Sequence, residues 1–165
     1  MPTIVTGAAN VKQTIRTRFF GEMDCSPEDV ITFPGGIPPF LNSTRFVIIS
    51  DEKKQPLLFL QSAEIENLCF ITLPIRVIDS NYQLEIDPDD LRILGWNRDR
   101  PPSIEDLSCL AILTIPETGP ATANLMAPVV IDTAAQTGVQ AMRTDDAYPL
   151  AYSLDGPVAA EEVAC

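Results

Sequence analysis

The chain has 165 residues, 45% of them hydrophobic, and carries 23 acidic against 11 basic side chains for a net charge of −12. That length suits one domain with its own core, and the charge argues against direct nucleic-acid contact, which rests on Lys and Arg neutralising phosphates. Histidine is absent, so Ser-His-Asp and Cys-His machinery and every His-containing metal site are excluded together.

Residues 1–10 show no basic region followed by an apolar one, so no secretory signal is expected. No apolar run approaches the roughly 18 residues that span a bilayer; the expectation is a cytoplasmic protein without membrane contact. From residue 11 to 19 the odd positions read Val, Gln, Ile, Thr, Phe and the even ones Lys, Thr, Arg, Arg, a half-buried strand with a cationic outer face. Residues 31–40, ITFPGGIPPF, hold three prolines and two glycines, which make a stiff, defined turn. Two roles stay open for it. Phe33 and Ile37 can close one end of a barrel, with Gly35 and Gly36 making the turn. Alternatively Pro34, Gly35, Gly36, Ile37 and Phe40 form a preorganised partner surface.

Runs apolar on both faces follow at 45–50, 57–60 and 68–73, with a polar turn at 51–56 between the first two. Residues 82–86, Tyr-Gln-Leu-Glu-Ile, alternate cleanly and predict another strand. Residues 107–115 and 128–131 are again two-sided, and 137–143 is a weaker strand beyond the 133–138 turn. Short helical turns are predicted after the N-cap residues Ser26, Asp87 and Ser103, each with carboxylates in its first turn. Only the middle one, running through Leu94, is a candidate for a real helix, and Asp106 approximates a capping box with Ser103. Fifteen prolines disfavour a helical domain. The expected fold is mainly all-β: a small curved or closed barrel-like single domain over residues 1–152, with a flexible acidic tail over 153–165.

Chemistry is sparse. Cys25, Cys69, Cys109 and Cys165 contain no C-x-x-C pair, so zinc is not expected, and Cys69 and Cys109 read as reduced core residues. The carboxylate pairs Glu64/Glu66, Asp89/Asp90 and Asp145/Asp146 sit in polar turns, as solvated charges do. Lys12, Lys53 and Lys54 stand where nothing would turn a lysine into a base. No glycine-rich phosphate loop occurs, and Trp96 reads as a packing residue. No cofactor is implied. A binding module is favoured over a carboxylate-based or metal-dependent hydrolase, with an acidic chaperone for another exported protein as a further alternative.

Four segments carry a resemblance. Phe20-Gly21-Glu22 followed by ITFPGGIPPF, Phe59-Leu60-Gln61-Ser62 leading into Leu68-Cys69-Phe70, ATANLMAPVVID from Ala121, and Gly138-Val139-Gln140 together resemble the flagellar assembly factor FliW family, from about residue 15 to residue 152. The resemblance implies a β-barrel-like protein without enzymatic activity that binds the translational repressor CsrA and, alternatively, flagellin. Four departures accompany it: Pro39 stands where glycine is usual, Asp132 where asparagine is common, the 133–137 turn lacks basic residues, and the tail after Tyr152 is atypical. With a basic RNA-binding partner implied, Asp89, Asp90, Glu105 and Asp106 become candidate partner contacts beside the 34–40 loop. Asn124 is expected either to bond backbone at a strand start or to face a partner.

Overall fold

The computed structural model describes residues 2–5 and 13–154. The tail expected beyond residue 154, Cys165, Lys12 and the start of the 11–19 strand lie outside those residues. Twelve strands are present: β1 (Pro2–Ile4), β2 (Gln13–Thr17), β3 (Gly21–Cys25), β4 (Ile31–Thr32), β5 (Arg45–Asp51), β6 (Leu58–Ser62), β7 (Cys69–Pro74), β8 (Ser108–Thr114), β9 (Thr122–Ala123), β10 (Val129–Asp132), β11 (Thr137–Gln140) and β12 (Tyr152–Ser153). Strands β4, β5, β6, β7, β8, β10 and β11 pair in a ring, because β10 bonds both β11 and β8, and the seven make a closed barrel. The ring closes through the one parallel pairing, β11 with β4 at Thr137 and Thr32. Strand β1 extends the wall along the second half of β5, β9 and β12 add to β8, and β2–β3 is a separate hairpin.

Both faces of this wall are buried, as the two-sided apolar runs predict. Along β5, Phe46 and Ile48 enter one apolar cluster while Val47 and Ile49 enter another, the period-two alternation of a strand. The smaller cluster gathers Ile31, Phe33, Ile37, Phe46, Leu60, Leu110, Val129 and Ile131. The larger one takes the other face together with Ile15, Cys25, Tyr82 and Leu94. Cys109 belongs to it, and burial pushes its thiol up to about 12, which leaves it unreactive. Cys25 and Cys109 are buried, Cys69 is half-buried, and none of the three is in a disulfide.

Among the described residues helical structure is limited to α1 (Ile75–Ile78), α2 (Pro88–Leu94) and two short 3₁₀ turns. Helix α2 lies where the sequence predicts it. Its N-cap Asp87 accepts a hydrogen bond from the Asp89 amide at 2.8 Å, and the chain turns off at Gly95. The turn at Pro27–Asp29 carries a full capping box, with both the Ser26 amide (2.8 Å) and hydroxyl (3.1 Å) donating to Asp29 Oδ2.

Three expectations change. Residues 82–86 do not form a strand: the segment is irregular, and side chains serve its backbone instead of a neighbouring strand. The Gln83 amide donates to the Tyr148 hydroxyl at 3.1 Å, and Arg143 donates to the Gln83 carbonyl. Tyr82 is nonetheless core, its hydroxyl donating to the Leu125 carbonyl at 2.7 Å. The strand from Thr137 ends at Gln140, although the amides of Ala141 and Arg143 still donate to the Pro128 and Met126 carbonyls at 2.9 Å. Pairing at the C-terminal end runs past residue 152, since Ser153 pairs with Thr122 and the Leu154 amide donates to the Ala121 carbonyl at 2.8 Å.

Candidate partner-binding surface

The 34–40 loop is both a core plug and an exposed surface. Phe33 and Ile37 are completely buried, and Phe33 meets Phe46 edge to face with ring centroids 5.4 Å apart. Between them Pro34 and Gly35 are exposed, while Gly36 is buried at φ +68°, where a Cβ would lie 2.7 Å from the Leu41 Cα. Only glycine fits that close crossing of the chain over itself. The amide of Gly36 donates to the Phe33 carbonyl and that of Phe40 to the Ile37 carbonyl, each at 2.8 Å, around a cis Pro38–Pro39 bond. The loop is therefore a fixed shape. Beyond it the side chains turn outward: Phe40 is 41% exposed, resting one edge on Phe70 at 6.0 Å, and Leu41 is 60% exposed.

Hydrogen bonds tie this loop to the 63–67 turn. The Ser43 amide donates to the Phe40 carbonyl, and the buried Ser43 and Ser62 hydroxyls pair at 2.7 Å. Ser62 Oγ in turn accepts from the amides of Glu64 and Ile65. Gln61 fixes the same turn from beneath, its side-chain amide donating to the carbonyls of Ser62, Ile65 and Glu66. On that turn Ile65 is exposed, and the Arg18 amide donates to the Glu66 carbonyl at 3.1 Å, drawing in the hairpin tip that carries exposed Phe19. Leu41 and Ile65 were not singled out by the sequence, and Phe19, expected on the inward side of an 11–19 strand, is instead exposed beyond Thr17, where β2 ends. An apolar residue next to a turn reads equally well as a plug, and only side-chain direction separates the two.

The acidic candidates lie elsewhere and differ among themselves. Asp89 is exposed in the first turn of α2, ion-paired with Arg92. Asp90 is half-buried there, and burial followed by the nearby Asp87 charge raises its pKa. Glu105 is exposed. Asp106 is already engaged: it accepts from Arg100 at 2.8 and 2.9 Å, from Arg98 at 3.3 Å, and from the Ser103 amide and hydroxyl at 2.8 and 3.0 Å. Those donors, Arg100 foremost, hold its carboxyl well below the usual carboxylate range. Of the expected capping box the Asp106 half forms, its carboxylate accepting from the Ser103 amide while its own amide donates to the Ser103 carbonyl, and these bonds leave Asp106 little capacity for a partner. Trp96 is packed rather than presented, with the Arg98 guanidinium 4.8 Å over its ring and its own Nε1 donating to the Arg100 carbonyl at 2.8 Å.

Asn124 takes the backbone role. Its Oδ1 accepts from the amides of Met126 (3.1 Å) and Ala127 (2.9 Å), turning the chain into β10. Asp132 does the same after β10, accepting from Ala134 and Ala135, which an asparagine oxygen also does. One carboxylate in each of two pairs is likewise committed: Glu64 Oε1 accepts from the Thr44 and Arg45 amides, and Asp145 holds Arg143. Among the described residues no group of three or more Cys, Asp or Glu side chains is placed to hold a metal ion, and no helix is long and apolar enough to cross a membrane.

Comparison with known proteins adds to this geometry. The model of the FliW protein family matches residues 13–154. The flagellar assembly factor FliW of Caldicellulosiruptor saccharolyticus is 35% identical over 144 residues, covering 87% of this chain and 91% of that protein. The protein of the same name from Bacillus subtilis is 31% identical over 143 residues, covering 86% and 96%. A crystal structure of the flagellar assembly factor FliW superposes with a TM-score of 0.74 at 27% identity, over 86% of this chain and 96% of that one.

Proposed function

Because this chain belongs to the FliW family, we propose that it is a non-enzymatic regulator of flagellar assembly that binds the translational repressor CsrA and, alternatively, flagellin. The match across residues 13–154 to proteins named flagellar assembly factor carries this reading. In it, the free protein captures CsrA in the cytoplasm and lifts its block on flagellin mRNA. Accumulating flagellin then takes the protein away, and repression returns.

The physical features agree with partner binding. A net charge of −12 attracts and steers a basic RNA-binding protein. The 34–40 loop, already fixed by its own hydrogen bonds, loses little ordering entropy when Phe40 and Leu41 are covered. Exposed acidic side chains of α2 and Glu105 contribute long-range attraction more than close pairing, which is worth little at a solvated surface.

The test is calorimetric titration of the full chain with CsrA and, separately, with flagellin from the same organism, at low and high salt. The expected result is saturable binding of each, with CsrA binding weakened by salt as charge steering requires and blocked once flagellin is bound. Binding of neither partner at either salt would overturn the reading.

A further inference from the structure

A cleft of about 370 Å³ opens between β1, the β2–β3 hairpin and the turn at Pro27–Asp29, lined by Pro2, Thr3, Ile4, Phe20, Glu22, Met23, Asp24 and Asp29. It shares no residue with the 34–40 loop. Its lining divides into an apolar part, Ile4, Phe20 and Met23, and three carboxylates. Two of the carboxylates are exposed and lightly held: Glu22 faces Arg16 at 3.5 Å and Asp24 accepts from the Thr14 hydroxyl at 3.0 Å. Asp29 differs from both. It is only 6% exposed, and while Oδ2 takes both Ser26 donors, Oδ1 is buried and accepts no hydrogen bond among the described residues. A buried carboxylate oxygen calls for a donor, and a charged donor is the strongest kind.

We propose that this cleft is a receptor for one arginine side chain of a protein partner. The methylene stem lies along Ile4, Phe20 and Met23, as basic side chains do on apolar surface. The guanidinium donates to Asp24 or Glu22 at the rim and, once it displaces the atoms that cover it, to Asp29 Oδ1 beneath. Guanidinium fits better than ammonium because its donors spread in a plane and reach separated acceptors at once. It is also the more weakly hydrated cation, which suits a half-apolar cleft. A metal ion is the poorer occupant, since the three carboxylates do not converge as a ligand set.

The site is tested without reference to any named partner, so its failure is separable from failure of the CsrA and flagellin titrations. N-acetyl-arginine amide is titrated into isotopically labelled full-length protein, following backbone amide resonances. Saturable shifts are expected at residues 20–29 and in β1, with N-acetyl-citrulline amide, the uncharged isostere, producing none. N-acetyl-lysine amide binds more weakly, and so does free arginine, whose carboxylate meets Glu22 and Asp24. Asp29→Asn weakens binding roughly tenfold or more, the loss of one charge-assisted hydrogen bond. Because Asp29 also caps its turn, the double substitution Glu22→Gln with Asp24→Asn, which leaves that cap untouched, supplies the second reading and also weakens binding. Equal binding of the citrulline or lysine probe, tighter binding of free arginine, or shifts confined to other surfaces would overturn the assignment.

Discussion

Phe33 lies directly over Gly138: a Cβ placed on Gly138 would come within 2.5 Å of the Phe33 ring. Gly138 faces Ile131 across the β10–β11 ladder, so the ring is clamped between the barrel wall and the loop it anchors. Gly138→Ala has to push the ring or the strand, and overpacking of a dense core costs about 1–3 kcal/mol. Urea unfolding should show a lower midpoint with an unchanged slope. A midpoint equal to that of the parent would mean the ring moves freely and the clamp is not one.

The hydrogen bonds of Asn124 allow a sharper test. Asn124→Ala strands the amides of Met126 and Ala127 at the start of β10 and should cost about 1–3 kcal/mol. Asn124→Asp keeps an acceptor oxygen in place and should cost less. If instead Asn124→Ala keeps full stability and loses partner affinity, the residue acts at the surface and not at the turn.

The barrel was legible because its strands bury both faces: 45–50, 57–60, 68–73, 107–115 and 128–131 all return as wall strands within a few residues. The two-residue strands β4, β9 and β12 were not, since pairing this short is decided by neighbours distant in sequence. Residues 82–86 show the opposite failure. Their alternation is as clean as that of any strand, yet Tyr148 and Arg143, some sixty positions on, take the backbone groups a neighbouring strand would have taken. The loop at 34–40 gave its stiffness in sequence, and Phe33 and Ile37 as its plug in one of two readings, but not that both readings hold at once, with Phe40 and Leu41 turned outward beside the plug.

Arg143 makes that distant strap measurable. Its side chain is 3% exposed; it donates twice to Asp145 at 2.8 Å, faces Glu85 at 3.5 Å and lies 4.8 Å from the centroid of the Tyr148 ring. Arg143→Met removes the donors and leaves the Gln83 carbonyl and Tyr82 hydroxyl short of partners, at a cost of about 2–4 kcal/mol. Hydrogen exchange should quicken first in residues 79–86 and 141–148, ahead of the barrel strands. Uniform quickening across the barrel would show the strap to be part of the core unit.

The pH dependence of stability should trace in part to Asp106 and Asp145. Arg100 and Arg143 respectively are the main cause holding each carboxyl below its ordinary value. A depressed folded-state pKa contributes stability that is complete above the unfolded value of about 3.9, fades below it and is lost as pH falls through the lowered folded value. Asp90, raised by burial, acts with the opposite sign: its ionised form costs stability, and the cost is relieved on protonation. Urea midpoints measured from pH 6 down to pH 2 should fall steeply only below about pH 4. Asp106→Asn and Asp145→Asn should each flatten that fall, whereas an unchanged profile in both would place the acid sensitivity in other carboxylates.

The loop itself separates stability from binding through two phenylalanines seven residues apart. Phe33→Ala empties a fully buried site against Phe46 and Ile131 and should cost about 3–5 kcal/mol. Phe40 has 41% of its surface in water and touches Phe70 on one edge, so Phe40→Ala should cost only about 1 kcal/mol. If the loop is where partners dock, the order reverses in a binding assay. Phe40→Ala should then weaken CsrA or flagellin roughly tenfold or more, the signature of an aromatic anchor, with the salt dependence retained because no charge has changed. Leu41→Ser, at the more exposed neighbour, should follow it at unchanged stability. Partner affinities that survive both substitutions would move the contact surface away from this loop, to the exposed acidic face of α2.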